Sequence, residues 1–229
     1  MAIFFSFLLY RGMVKWSNIK TFDGYNLKFP QTMQLKDGLV AKFDEFSQII
    51  SVRKGERELG YDMLIKSKDR IKCVDMEVQP EFKRRGIGGL LHAISVMMMK
   101  ENKAKNIYLD ALPQAIRFHF NKGFRTDCTN KENAYIYMNS IIRSNTPFED
   151  LKISAKKLMF KLTSGGKEAI KEADKLYDTY LSRVIHNNIS IDDANLPATL
   201  CMDLKNKDLK KHGDFYNGIL ESFGIDYRI

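Results

Sequence analysis

Between Ile71 and Asn102 the hydrophobic period of the chain changes from that of a strand to that of a helix, and a basic, glycine-rich turn sits at the change. Ile71–Val78 reads as a strand, with Ile71, Cys73 and Asp75 on one side and Val74, Met76 and Val78 on the other. Pro80 stops it, because proline has no N–H for the ladder. Lys83-Arg84-Arg85-Gly86-Ile87-Gly88-Gly89 follows, and then Leu90, Leu91, Ile94, Met97 and Met98 recur at helical spacing up to about Asn102. The first turn of a helix has N–H groups without intrahelical partners and a partial positive charge. Glycines let an anion come close to them, and Lys83, Arg84 and Arg85 add full charges beside them. The arrangement suits a diphosphate; the bland alternative is a solvated turn that binds nothing. The dinucleotide fingerprint fails, because Leu91 stands where its third glycine belongs, and no Gly-Lys-Ser/Thr follows for a P-loop.

The flanking segments extend the pattern. Phe46–Val52 and Leu59–Ile65 are rich in β-formers and meet at Lys54-Gly55-Glu56, which predicts an antiparallel hairpin. Asn106–Ala111 reads as a short strand, Gln114–Asn121 as a helix ended by Gly123, and Ala134–Met138 as a last strand with alternating aromatics. Asn145-Thr146-Pro147 marks a boundary. Beyond it Leu151, Leu158 and Leu162 share a helical face, Ser164-Gly165-Gly166 breaks the helix, and further helices cover Glu168–Val184 and Leu209–Phe223 around a loop at Asn187–Pro197. The expected organisation is an apolar segment over 1–13, a domain over 14–144 and a helical extension over 145–229.

Charge narrows the partners. The 229 residues carry 37 basic and 28 acidic side chains; residues 145–229 hold thirteen of each, so the whole net charge of +9 lies in residues 1–144. Nucleic acid, an acidic surface or a phosphorylated ligand would each match it. No recognition helix or zinc-finger pattern accompanies the basic turn, which disfavours nucleic acid. Three scattered cysteines, Cys73, Cys128 and Cys201, make neither a disulfide framework nor a zinc cage. An intracellular, cytoplasmic setting and no metal are expected. Ile3–Tyr10 is apolar but far shorter than a membrane span, which needs about 20 residues. It lacks the flanks of a signal peptide and reads as an edge strand, or as residues upstream of a start at Met13.

Val78-Gln79-Pro80-Glu81-Phe82-Lys83-Arg84-Arg85-Gly86-Ile87-Gly88 resembles the acyl-CoA-binding motif of the GNAT superfamily of N-acyltransferases, written as Arg or Gln, two residues, Gly, one residue, Gly or Ala. Lys83 stands where Arg or Gln is usual. Ala115–Phe124 is similar to the family's helix-to-strand segment ending in Gly-Phe. The resemblance covers roughly residues 38–140. It implies an α+β fold with a mixed, centrally splayed sheet flanked by helices, followed here by an all-α C-terminal extension.

It also implies acetyl-CoA as acyl donor, held between Ile71–Val78 and Asn106–Ala111. Main-chain groups of Met76 and Val78 would bind the pantetheine arm, and Lys83, Arg84, Arg85, Gly86, Ile87, Gly88 and Gly89 the diphosphate. A primary amine of a protein or small molecule would attack the thioester in a ternary complex. That chemistry needs a base, for which Asp110 is the first candidate and Glu77 the second. It needs an oxyanion donor, the backbone N–H of Val78, and an acid for the leaving thiolate. His119 takes the place of the family's Tyr as that acid. Where many members of the family have a CoA-holding Asn the loop here is short, Ala111-Leu112-Pro113-Gln114, and that Asn is either lost or replaced by Gln114. Cys73 and Cys128 have no base at a spacing that suggests a thiol mechanism. A second reading stays open: a CoA-holding module without chemistry, whose C-terminal helices bind a protein partner or a second copy of the chain.

Overall fold

The computed structural model describes residues 14–164 and 166–229, so the reading of Ile3–Tyr10 as an edge strand lies outside the described residues. Along the chain the first elements are β1 (Trp16–Lys20), β2 (Asn26–Pro30), β3 (Met33–Gln34), β4 (Leu39–Asp44), β5 (Ile49–Lys54), β6 (Arg57–Lys66), β7 (Arg70–Val78), α1 (Ile87–Glu101) and β8 (Asn106–Ala111). Then come α2 (Pro113–Asn121), β9 (Arg125–Thr126), α3 (Lys131–Arg143), α4 (Glu149–Ser164), α5 (Lys167–His186), α6 (Ile191–Ala194), β10 (Leu200–Lys205) and α7 (Leu209–Ser222). These form an α+β fold of two compact units. One runs through Ile107 and includes 206–229; the other is Tyr108–Lys205.

In the first unit β3, β4, β5, β6 and β7 form an antiparallel meander. The hairpin predicted around Lys54-Gly55-Glu56 is the β5–β6 pair, with Ile50 opposite Asp62 and Val52 opposite Gly60. One face, with Ala41, Phe43, Ile50, Val52, Leu64, Ile71 and Cys73, is buried, and α1 packs on β5, β6 and β7. On its other flank α1 meets α7. That double cover is why α1 is apolar on nearly every side, with Met97, Met98 and Met99 all at 0% exposure. The β1–β2 hairpin adds Leu27 and Phe29 to the core, and Phe29 stacks on Phe43 at 4.3 Å.

The side assignment in Ile71–Val78 needs correcting. Met63 pairs with Asp75 but Leu64 pairs with Cys73, so Val74 is an extra residue in β7. A bulge of this kind reverses the phase of everything beyond it. Ile71, Cys73, Met76 and Val78 therefore share the helix face, while Asp75 and Glu77 turn to the opposite face.

In the second unit β8, β10 and β9 lie in that order, β10 and β9 antiparallel. The residues Ala134–Met138 are not a strand; they belong to α3. Asn130 caps that helix by accepting from the Asn133 N–H at 2.8 Å. Ala134, Tyr137, Met138 and Ile141 then form a buried stripe at 3–4 residue spacing. Capping and this stripe outweigh the β-propensity of Tyr-Ile-Tyr. Helices α3, α4 and α5 pack together around Tyr177, which stacks on Tyr137 at 4.4 Å and shares a 3.1 Å hydrogen bond with Ser140. The region after 145 holds one strand, β10, besides its helices, with Leu200, Met202 and Leu204 buried, and the short α6 lies within the loop predicted at Asn187–Pro197.

Candidate active site

The basic turn between β7 and α1 is built entirely within the first unit. The Gln79 N–H donates to the Leu59 carbonyl at 2.9 Å, which fixes the exit of β7 against β6. Pro80–Phe82 form one 3₁₀ turn. Arg57 pairs with Glu81 and lies 4.7 Å over the Phe82 ring, and Arg85 lies 5.5 Å from that ring. Arg84 and Gly86 then take left-handed conformations, φ 64° and 84°. Left-handed residues beside a helix start turn successive N–H groups to one side and make a concavity that favours anions. Gly86 is the N-cap of α1; no side chain caps the helix and no acid occupies its first turn. Lys83, Arg84, Arg85 and Gly86 are exposed.

Two features seat this turn. Gly60 lies under it: a Cβ there would stand 2.6 Å from the Glu77 carbonyl and 3.3 Å from Ile87 Cγ2. At the other side Phe223, just after α7, places its ring 3.4 Å from where a Cβ on Gly86 would stand. Phe223 flanks the turn without covering it, since Gly86 stays exposed.

Met76 and Val78 are half-buried on the helix face of β7. Opposite Met76 lies Asp62, fully buried. Its Oδ1 is 2.9 Å from Cys73 Sγ and its Oδ2 2.6 Å from Ser95 Oγ, which is itself 3.0 Å from the Leu91 carbonyl. Burial, with a smaller push from Asp75, raises its carboxyl to about 7 against the hydrogen bonds from Cys73 and Ser95. Asp62 accepts from the Ser95 hydroxyl, which the Leu91 carbonyl shares, and from the Cys73 thiol at its other oxygen. Burial and the neighbouring Asp62 hold the Cys73 thiol well above its ordinary value, so it is inert.

On the opposite face of β7, Glu77 is exposed beside Asp75. The Tyr61 hydroxyl donates to Asp75 at 2.7 Å and lies 3.5 Å from Glu77. The hydrogen bond to Asp75, with burial and the two carboxylates, pushes this phenol up to about 12.

The other two residues expected in proton transfer belong to the second unit. Asp110 is exposed in β8 and accepts from Cys201 Sγ at 3.0 Å. His119, in α2, is 7% exposed and stands edge-on to Phe118 and Phe124, with ring centroids 5.2 and 5.8 Å away. Burial lowers the imidazole to about 4, so it is neutral at pH 7. Gln114 is exposed in the first turn of α2. Cys128 is half-buried, and burial pushes its thiol up to about 12.

Sequence reading passed over Tyr61, Asp62, Ser95 and Phe223. An acid at a core-facing position of Leu59–Ile65 was a readable signal for Asp62. Phe223 reaches Gly86 only through the packing of α7 on α1.

No protein-family model and no curated protein matches the chain. Solved structures are similar to part of it. The PaiA N-acetyltransferase of Thermoplasma acidophilum, in complex with coenzyme A, is 18% identical over 36% of this chain and 54% of its own, with a TM-score of 0.34. Ard1 of Thermoplasma volcanium is 19% identical over 36% of this chain and 60% of its own, TM-score 0.34. An acetyltransferase of the GNAT family from Staphylococcus aureus Mu50 is 25% identical over 35% of this chain and 54% of its own, TM-score 0.33. The chain thus spans between 54% and 60% of the length of these three structures. Among the described residues no helix is long and apolar enough to cross a membrane.

Proposed function

We propose that this protein is an acyl-CoA-dependent N-acyltransferase that moves an acetyl group from acetyl-CoA to a primary amine in a ternary complex. One observation carries the reading: a strand ends in an exposed turn with three cations and two left-handed residues, and the turn opens onto an uncapped helix without an acid in its first turn. That is the chemistry a diphosphate needs. Main-chain groups of Met76 and Val78 hold the pantetheine, and Lys83–Gly89 hold the diphosphate.

Glu77 is the base we favour over Asp110, because its carboxylate is exposed beside the Tyr61 hydroxyl, whereas Asp110 accepts the Cys201 thiol. The ammonium of the acceptor gives its proton to Glu77. The amine nitrogen then bonds to the thioester carbon, whose oxygen takes the Val78 N–H. The C–S bond breaks as the amide forms, and the second proton of the amine nitrogen passes through solvent to the departing thiolate. His119, being neutral, supplies at most one N–H and no spare proton.

Release of free thiol from acetyl-CoA with peptide, polyamine and aminoglycoside acceptors tests the reading. Turnover that falls at least tenfold in Glu77→Gln supports it; absence of any thermal shift with acetyl-CoA or CoA overturns it. The neutral, buried His119 favours one second reading, a CoA-binding module without chemistry, which predicts the thermal shift and no thiol release.

A further inference from the structure

The C-terminal residues build a cavity beside the diphosphate turn. It has a volume of about 320 Å³ and is lined by Leu35, Lys36, Asn217, Glu221, Gly224 and Arg228, among others. That is the lower end of the range for small-molecule sites, roughly 300–1,000 Å³, and suits a nucleoside better than a whole cofactor. Glu221, two residues before Phe223, and Gly224, the residue after it, line the cavity, while the Phe223 ring flanks Gly86. Lys36 fixes this segment twice: its N–H donates to the Phe223 carbonyl and its Nζ to the Glu221 carbonyl, both at 3.0 Å.

We propose that this cavity receives the nucleoside end of the acyl-CoA, with Phe223 as the aromatic wall that carries the ligand from the diphosphate turn into it. The inference rests on the acyl-CoA reading above. The lining offers partners of both kinds. Lys36 Nζ keeps two protons beyond the one it gives Glu221. The carboxylates of Glu221 and Asp226 can accept from ribose hydroxyls or an exocyclic amine, and Asn217, whose Oδ1 accepts the Ile229 N–H at 2.7 Å, still has its amide protons to donate. Two cations, Lys36 and Arg228, stand in the lining with two anions, Glu221 and Asp226, so it can meet both the 3′-phosphate that the CoA nucleoside carries and the hydroxyls and amine of its sugar and base. A base stacked on an aromatic ring gains about 5- to 150-fold in affinity.

The test compares CoA with 4′-phosphopantetheine, which carries no nucleoside, by calorimetric titration of the full chain. The wild type should bind CoA at least tenfold more tightly. Asn217→Met, which narrows the cavity without touching the turn, should remove most of that margin and leave 4′-phosphopantetheine affinity within twofold; Phe223→Ala should also shrink the margin, whatever it does to 4′-phosphopantetheine affinity through the turn that it seats. A Phe223→Ala variant that keeps the margin, or an Asn217→Met variant that keeps it or loses both ligands equally, overturns the inference. Should both variants fail to fold, the wild type still decides. Trp16, the single tryptophan, packs edge-on against Tyr227 in the cavity wall with ring centroids 6.0 Å apart. CoA should change its emission and 4′-phosphopantetheine should not; equal responses, or none to CoA, overturn the inference. A wild type that binds 4′-phosphopantetheine as well as CoA refutes the nucleoside pocket alone, whereas one that binds neither refutes the acyl-CoA reading as well.

Discussion

Gly60→Ala is the most direct probe of how the basic turn is seated. Gly60 pairs with Val52 on one side and Val78 on the other, in a backbone conformation open to any residue. Only space forbids a side chain. The new methyl would stand 2.6 Å from the Glu77 carbonyl, where ordinary contact begins at 3.4 Å, so the two strands must part by about 0.8 Å. The next neighbours, Val78 Cα at 3.2 Å and Ile87 Cγ2 at 3.3 Å, offer no easy relief, since both belong to the site. Overpacking of a tight interior costs about 1–3 kcal/mol. For a chain of this size each kcal/mol lowers Tm by roughly 2–4 °C, so a cost near 2 kcal/mol gives a fall of about 4–8 °C in a thermal unfolding scan. Because the displaced atoms carry Val78 and the first residue of α1, CoA affinity should fall about tenfold in parallel. A variant with wild-type Tm and wild-type CoA affinity would refute the claim that this close approach positions the turn.

The same fold fixes other outcomes. Asp62 keeps a proton up to about pH 7 when folded but loses it near 3.8 when unfolded, so its contribution to stability falls as pH rises from about 4 to 7 and is level beyond. Asp62→Asn can accept from Cys73 and donate to Ser95 without titrating; its Tm relative to wild type should climb between pH 5 and 8, and a constant difference would contradict a neutral Asp62. Gly218, exposed inside α7 with nothing within 4 Å of a Cβ, should stabilise the protein by about 0.5–1 kcal/mol when replaced by Ala, measured as a higher urea midpoint. Each of Lys83→Ala, Arg84→Ala and Arg85→Ala should weaken CoA binding about tenfold and flatten its salt dependence, as charge-assisted contacts of about 1.5–3 kcal/mol would; equal binding in all three would remove the diphosphate from this turn. Since burial lowers His119 to about 4, kcat/KM should have no limb near pH 6.5 that vanishes in His119→Ala.

Much of the architecture around the turn was legible because it is local. The change of period at Pro80–Gly89, the turn at Lys54-Gly55-Glu56 and the strand at Asn106–Ala111 each depend on neighbours within a few residues, and β6, β7, α1 and β8 stand close to where those signals put them; β5 begins three residues later than the strand expected from Phe46, because Asp44 accepts from the Phe46 and Ser47 N–H groups and holds 45–48 in a turn. Where a local preference met a competing one, composition misled: Tyr135-Ile136-Tyr137 favours a strand, but the Asn130 cap and the partners of Tyr137 on α5 make it helix. The chemistry of the site was only half readable. That three cations and three glycines would crowd one helix start is a property of seven consecutive residues. Which face Asp75 and Glu77 occupy is not, because the extra residue at Val74 exists only in register with β6. The raised carboxyl of Asp62 likewise comes from burial under a helix distant in the chain, the one that carries Ser95, and the approach of Phe223 to Gly86 from the packing of another. Backbone period and charge are inherited from the sequence one residue at a time; protonation, facing and the walls of a cavity are set by what packs against them.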